Sequence, residues 1–127
     1  RFRTGIPNFI AILGVRAGIQ LIHDLGIEKI EDRILSLSGY LIEKAMESGI
    51  QVWTPPEAEK RAGIVNLTLK EAGEIHKELL KQDIYTYLFP DTIADRLKWS
   101  GGGIRVDPGI YNKEDDIDIF VKTMSTL

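Results

Sequence analysis

The stretch GGGIRVDPGIYNKEDDID, residues 101–118, decides how the rest of the chain is read. A glycine-rich entry and a Pro108-Gly109 exit bound a short strand, GIRV. Side chains alternate along a strand, so Ile104 and Val106 share one face and Arg105 takes the other. Turn formers keep bulk away from that arginine on both sides. Its planar fork of donors can then serve a carboxylate, although the pattern alone more readily describes an ordinary exposed strand arginine. Beyond the turn, Asn112 is the expected helix cap, and Glu114, Asp115 and Asp116 suit the positive end of a helix dipole. Ile117, Phe120, Val121 and Met124 recur at helical spacing behind them. The glycines lack the lysine and spacing of a phosphate loop, so they read as a flexible approach to the strand.

Upstream, residues 8–25 are apolar on almost every side, with Arg16, Gln20, His23 and Asp24 as the only polar stripe. The pattern predicts a helix buried on most of its surface, with Pro7 in its first turn and Gly26 just beyond its end. A second, amphipathic helix follows over 27–48, aligning Ile30, Ile34, Leu37 and Leu41. IQVWT at 50–54 reads as a short strand ended by Pro55 and Pro56, and GIVNLTL alternates so that Val65, Leu67 and Leu69 share a face. Ala72, Ile75 and Leu79 mark a helix, and IYTYLF at 84–89 marks another strand. Residues 90–101 show no periodicity and read as loop. The fold class is therefore α+β: a small, mostly antiparallel sheet covered by helices and preceded by a long buried lead-in helix.

Composition narrows the functional classes. A chain of 127 residues with 43% hydrophobic and 28% charged residues has the makings of one packed core. A net charge of −3 with basic residues scattered among acids leaves no footprint for nucleic acid. No apolar run approaches the roughly 20 residues of a membrane span, so neither partner is expected and a cytoplasmic setting is. The chain has no cysteine, which removes disulfides, thiolate metal sites and any cysteine nucleophile from this segment. It opens on Arg1 with no lead-in, as a fragment of a larger protein would.

Other candidate sites are weaker. His76-Lys77 falls in an amphipathic helix and is expected to face solvent. His23 has no paired ligand that would make a metal site. The run EDDID has the wrong spacing for a calcium loop, and its place at a helix start already accounts for it. No metal site and no catalytic residue is assigned.

Two stretches together, TGIPNFIAILGVRAGIQLIHDLGIEKIEDRI and GIRVDPGIYNKEDDIDIFV, resemble the carboxyl-terminal part of class V aminotransferases. These are fold-type I pyridoxal phosphate enzymes, a group that includes cysteine desulfurases, epimerases and kynureninase-like proteins. The resemblance implies the small C-terminal domain of such an enzyme over 26–127, with 1–25 as lead-in turn and interdomain helix. It places Arg105 on the arginine that grips the substrate's α-carboxylate. It places Gly5 on the glycine of a Gly-Thr-Pro turn that reaches the cofactor phosphate of the neighbouring subunit. Ile6 stands where the family has threonine, so only its backbone N–H could serve the phosphate. Asp107 and Gly109 replace the serine and histidine common at the second motif, and Asp107 is placed to pair with Arg105.

The lysine that binds the cofactor covalently, the aspartate that pairs with its ring nitrogen and the group that stacks on the ring belong to a larger domain ahead of residue 1. The chain alone is thus not expected to catalyse. Implied partners are that large domain, an amino-acid substrate and a second copy in a homodimer. Desulfurases of the family carry their cysteine within this portion, so an aminotransferase-like or epimerase-like parent is favoured. The alternatives are a desulfurase-like lyase lacking the cysteine, or a non-catalytic interaction module that docks through its apolar first helix.

Overall fold

A computed structural model describes residues 7–89 and 102–126 of the chain. Its contacts group into two units, Arg1–Asp32 and Arg33–Leu127.

The first unit contains helix α1, Phe9–Leu25, and the start of α2, Ile27–Glu47. Asn8 caps α1 by accepting a hydrogen bond from the Ala11 N–H at 3.0 Å. Pro7 therefore precedes the cap and is not inside the first turn. At the other end Gly26, with φ 87°, donates its N–H to the Ile22 carbonyl at 3.0 Å, the positive-φ ending that glycine permits. The helix forms where the apolar pattern predicts it, but none of its residues is buried, and Ile10 is 84% exposed. Within its own unit α1 leaves its apolar sides uncovered.

In the second unit α2 turns Leu37, Leu41, Ile42 and Ala45 inward. The chain continues through β1 (Gln51–Val52), a 3-10 turn (Ala58–Lys60), β2 (Val65–Thr68), α3 (Ala72–Lys81), β3 (Tyr87–Phe89), β4 (Gly103–Val106) and α4 (Glu114–Ser125). Two residues in the left-handed region bracket α3, Glu71 at φ 59° and Asp83 at φ 58°. The strands form one sheet in the order β1-β2-β4-β3, antiparallel throughout. The α+β class read from the sequence is the one observed.

Strand alternation separates the two faces of the sheet. Val65, Leu67 and Ile104 are fully buried, and Val52, Leu88 and Val106 pack with them against Leu41, Leu79, Ile117, Phe120 and Val121 of the helices. Burying one such aliphatic side chain is worth about 1.5–3 kcal/mol. This face supplies the core.

Two close approaches hold the pieces in register. A Cβ on Gly103 would lie 2.6 Å from the Leu67 carbonyl oxygen, so β2 and β4 can pair at this spacing only with glycine there. Gly102 is ordered too, its carbonyl accepting from the Leu69 N–H at 3.2 Å. Gly103 is thus required by packing, which corrects the expectation of a merely flexible approach at that position, while Gly101 lies outside the described residues. Arg61, in the connection between β1 and β2, donates to the Ser38 hydroxyl and to the Leu35 carbonyl of α2, lying across Gly39. Gly63 sits so close to Ile34 that a Cβ would strike the isoleucine side chain.

Among the described residues no single helix is long and apolar enough to cross a membrane.

Candidate functional site

The face of the sheet opposite the core carries the candidate site. Antiparallel register sets Asn66 of β2, Arg105 of β4 and Tyr87 of β3 side by side in one row. The Trp53 N–H donates to the Asn66 carbonyl at 2.9 Å, which extends the row beyond β1. Phe89, two residues along from Tyr87, shares the face, and the two rings meet edge to face at 5.3 Å between centroids. Asn66 Oδ1 and Thr68 Oγ1, both on this face, are buried without a hydrogen-bond partner among the described residues. Where the helix-covered face is aliphatic, this one is aromatic and polar.

Arg105 stands at the centre of the row, on a strand paired along both edges. β4 spans the residues expected from the sequence, and the alternation is as predicted, with Ile104 facing the core. The Arg105 side chain is 37% exposed and that of Asp107 44%. Arg105 Nε donates to both oxygens of Asp107, at 3.0 and 2.9 Å. This is the pairing the sequence allowed for: residues two apart on an extended chain share a face. The guanidinium carbon lies 5.9 Å from the Tyr87 ring centroid, within range of a cation–π contact. The hydrogen bond to Asp107, reinforced by that carboxylate's charge, pushes the guanidinium further above its ordinary high pKa. It is a cation at every working pH. Among the described residues its hydrogen bonds all leave from Nε, so both terminal nitrogens keep their donors for another group.

The segment behind the arginine is fixed by a compact set of bonds. Asn112 donates its N–H to the Gly109 carbonyl at 3.0 Å, and its side-chain oxygen accepts the Gly109 N–H at 2.9 Å. Asn112 therefore closes a turn, and Lys113 is the N-cap of α4, which corrects the cap expected one residue earlier. Asp116 supplies the cap from inside the helix, accepting the Lys113 N–H at 2.9 Å and the Asn112 side-chain amide at 3.2 Å. These bonds hold its carboxyl below the usual carboxylate range. Arg33 of α2 reaches the same place, donating to both Glu114 oxygens, at 2.7 and 3.3 Å, and to the Asn112 carbonyl at 2.9 Å. The Arg33 hydrogen bond lowers the Glu114 pKa. Tyr40 adds a hydrogen bond from its hydroxyl to Asp118 at 2.9 Å.

Other residues named from the sequence lie apart from this face. His76 is half-buried, with Nδ1 3.1 Å from the Thr86 hydroxyl, and ties α3 to the approach to β3. It does not face solvent as expected, because Thr86 offers a partner ten residues away that helical periodicity does not reveal. His23 is exposed at the end of α1 beside Asp24. Gly5 and Ile6, which the resemblance sets near a cofactor phosphate, lie outside the described residues. The packing of Tyr87 on Arg105 was not foreseen. Its signal in sequence is weak, since it needs the β3–β4 register.

Comparison with known proteins bears on the family and the fold. The sequence profile of the family Aminotransferase class-V matches residues 1–120. The chain belongs to that family, whose members are pyridoxal phosphate enzymes of fold type I.

Over 96% of its length the chain is 28% identical to a probable cysteine desulfurase of Halalkalibacterium halodurans, covering 30% of that protein. Over 91% of its length it is 24% identical to a kynureninase of Bacillus thuringiensis subsp. konkukian, covering 26% of it. Among solved structures, the apo cysteine desulfurase of Thermococcus onnurineus NA1 superposes with a TM-score of 0.88 at 23% identity, over 99% of this chain and 32% of that one. That likeness shows the fold. The chain spans between about a quarter and a third of the length of the proteins it matches.

Proposed function

We propose that this chain is the C-terminal domain of a pyridoxal phosphate-dependent enzyme acting on an amino acid, and that Arg105 binds the substrate's α-carboxylate. The observation that carries this reading is the placement of Arg105: central strand, face opposite the core, Nε held and both terminal nitrogens without a partner among the described residues. Two parallel N–H···O bonds from a guanidinium fix a carboxylate in plane as well as in place. With the carboxylate fixed, rotation about the bond to the α-carbon decides which substituent stands ready to leave. Pyridoxal phosphate, when bound, supplies the electron sink for that bond breaking. The arginine's own part is to bind and orient. Among the described residues Arg105 alone belongs to the expected site, and Gly5 and Ile6 remain the proposed phosphate contacts, Ile6 through its backbone N–H only.

The exposed apolar surface of α1 supports a larger assembly. In this reading residues 1–25 lead from the large cofactor domain into the small domain of 26–127, the large domain covers α1, and the whole pairs as a cytoplasmic homodimer. The relatives' names favour a desulfurase-like lyase as the nearest rival. The chain supplies no thiol for such chemistry, so transamination or epimerisation at the α-carbon remains the preferred class. An interaction module docking through α1 would use the same exposed helix but accounts for nothing at Arg105.

The test is kinetic. In the full-length protein with cofactor bound, Arg105→Ala should raise KM for the amino acid roughly 10- to 100-fold while cofactor affinity stays near the wild-type value. Arg105→Lys should fall between, keeping charge but not the fork. Unchanged kinetics in both variants removes the assignment.

A further inference from the structure

We propose that Asp107 is a positioning residue that sets which edge of the Arg105 guanidinium meets the substrate, an inference that rests on the reading of Arg105 as the carboxylate clamp. An arginine fork can offer a carboxylate either the edge formed by Nε and one terminal nitrogen or the edge formed by both terminal nitrogens. Here the first edge is taken. Both Asp107 oxygens lie within 3.0 Å of Nε, and among the described residues that carboxylate's hydrogen bonds go nowhere else. The Tyr87 ring, 5.9 Å from the guanidinium carbon, limits the tilt of the plane from one side. What remains is the end-on edge, presented by a side chain whose rotation is already restricted.

This arrangement matters because the arginine is 37% exposed, and a long side chain at such a site is otherwise free to turn. Ordering a flexible side chain on binding costs affinity, and prior ordering removes that cost. The carboxylate of Asp107 also opposes an incoming anion. Its hydrogen-bonding role and its charge therefore act in opposite directions on substrate affinity, which makes them separable. Alanine removes both, whereas asparagine keeps an oxygen acceptor for Nε and removes the charge.

The experiment uses the full-length protein with cofactor bound, and whichever substrate turns over fastest from a panel of L-amino acids that includes L-cysteine and L-alanine. Asp107→Ala should raise KM roughly 2- to 10-fold with kcat nearly unchanged, the effect of one side chain that must be ordered on binding. Asp107→Asn should restore KM to the wild-type value or below it. Circular dichroism of each variant establishes that the fold is kept, and Arg105→Ala serves as the control. If Arg105→Ala raises KM but Asp107→Ala leaves it unchanged or lowered, Asp107 does not position the arginine and the proposal is overturned while the clamp stands. An Asp107→Asn variant as impaired as the alanine variant overturns it as well, since the acceptor is then not what counts. If Arg105→Ala itself has no effect on KM, the clamp falls and the positioning role falls with it.

Discussion

The two faces of the four-stranded sheet are built from the same short strands and do different work. Along β4, Ile104 is wholly buried against the helices, while its neighbour Arg105 stands on the opposite face among aromatic and polar side chains. Along β2, Val65 and Leu67 are buried and Asn66 and Thr68 are not fully so. Adjacent residues of one strand thus carry separate tasks, one holding the sheet to its helices and the other displaying a charge. A strand can change what it displays without changing what it packs.

The comparison breaks most visibly on the core side. Ile104→Ala should destabilise the protein by about 2–5 kcal/mol, the range for emptying a packed aliphatic site, and chemical denaturation should show it as a lower midpoint. Arg105→Ala, one residue on, should leave that midpoint unmoved. A fall of similar size in both variants would mean that the faces are not independent.

A smaller loss is expected at Gly103, which lies on the displayed face yet serves packing. Gly103→Ala puts a methyl group 2.6 Å from the Leu67 carbonyl, and spreading β2 from β4 to admit it should cost about 1–3 kcal/mol. The same denaturation measurement checks this. A neutral result would show that the ladder yields at no cost there.

The smallest effect is at the start of α4, which backs the displayed face. Glu114 and Asp116 have folded pKa values lowered by Arg33 and by the Lys113 N–H respectively. Their contribution is therefore complete above the ordinary carboxylate range and is lost as pH falls through the lowered values. Acidification below about pH 4 should loosen the first turn of α4 before the core gives way. Amide exchange at residues 114–117 against that at 104, followed down in pH, tests this, and simultaneous loss of protection would contradict it.

The pattern of what could be read in advance follows from range. β4 was legible because its alternation and boundaries lie within a few residues, and the side of the strand on which Arg105 falls follows from period two alone. The cap of α4 was misplaced by one residue because Asn112 is as good a turn former as a cap. Only the bond between the Gly109 N–H and its side chain shows which role it takes. The need for Gly103 could not be read, since it depends on the Leu67 carbonyl 36 positions earlier in the chain. The surroundings of α1 are a different case: an all-round apolar helix announces that something covers it, and its own unit leaves those sides open.

β4 is hydrogen-bonded to β2 on one side and β3 on the other. The backbone of residue 105 is therefore among the last to move when the protein breathes, because opening it requires both neighbours to part. The segments before β3 and after β4 can drift, lengthen or change sequence while that backbone stays where the sheet puts it. Arg105 is in this sense a fixed mark against which a mobile ligand is measured, and any adaptation to a new ligand has to come from what surrounds the mark.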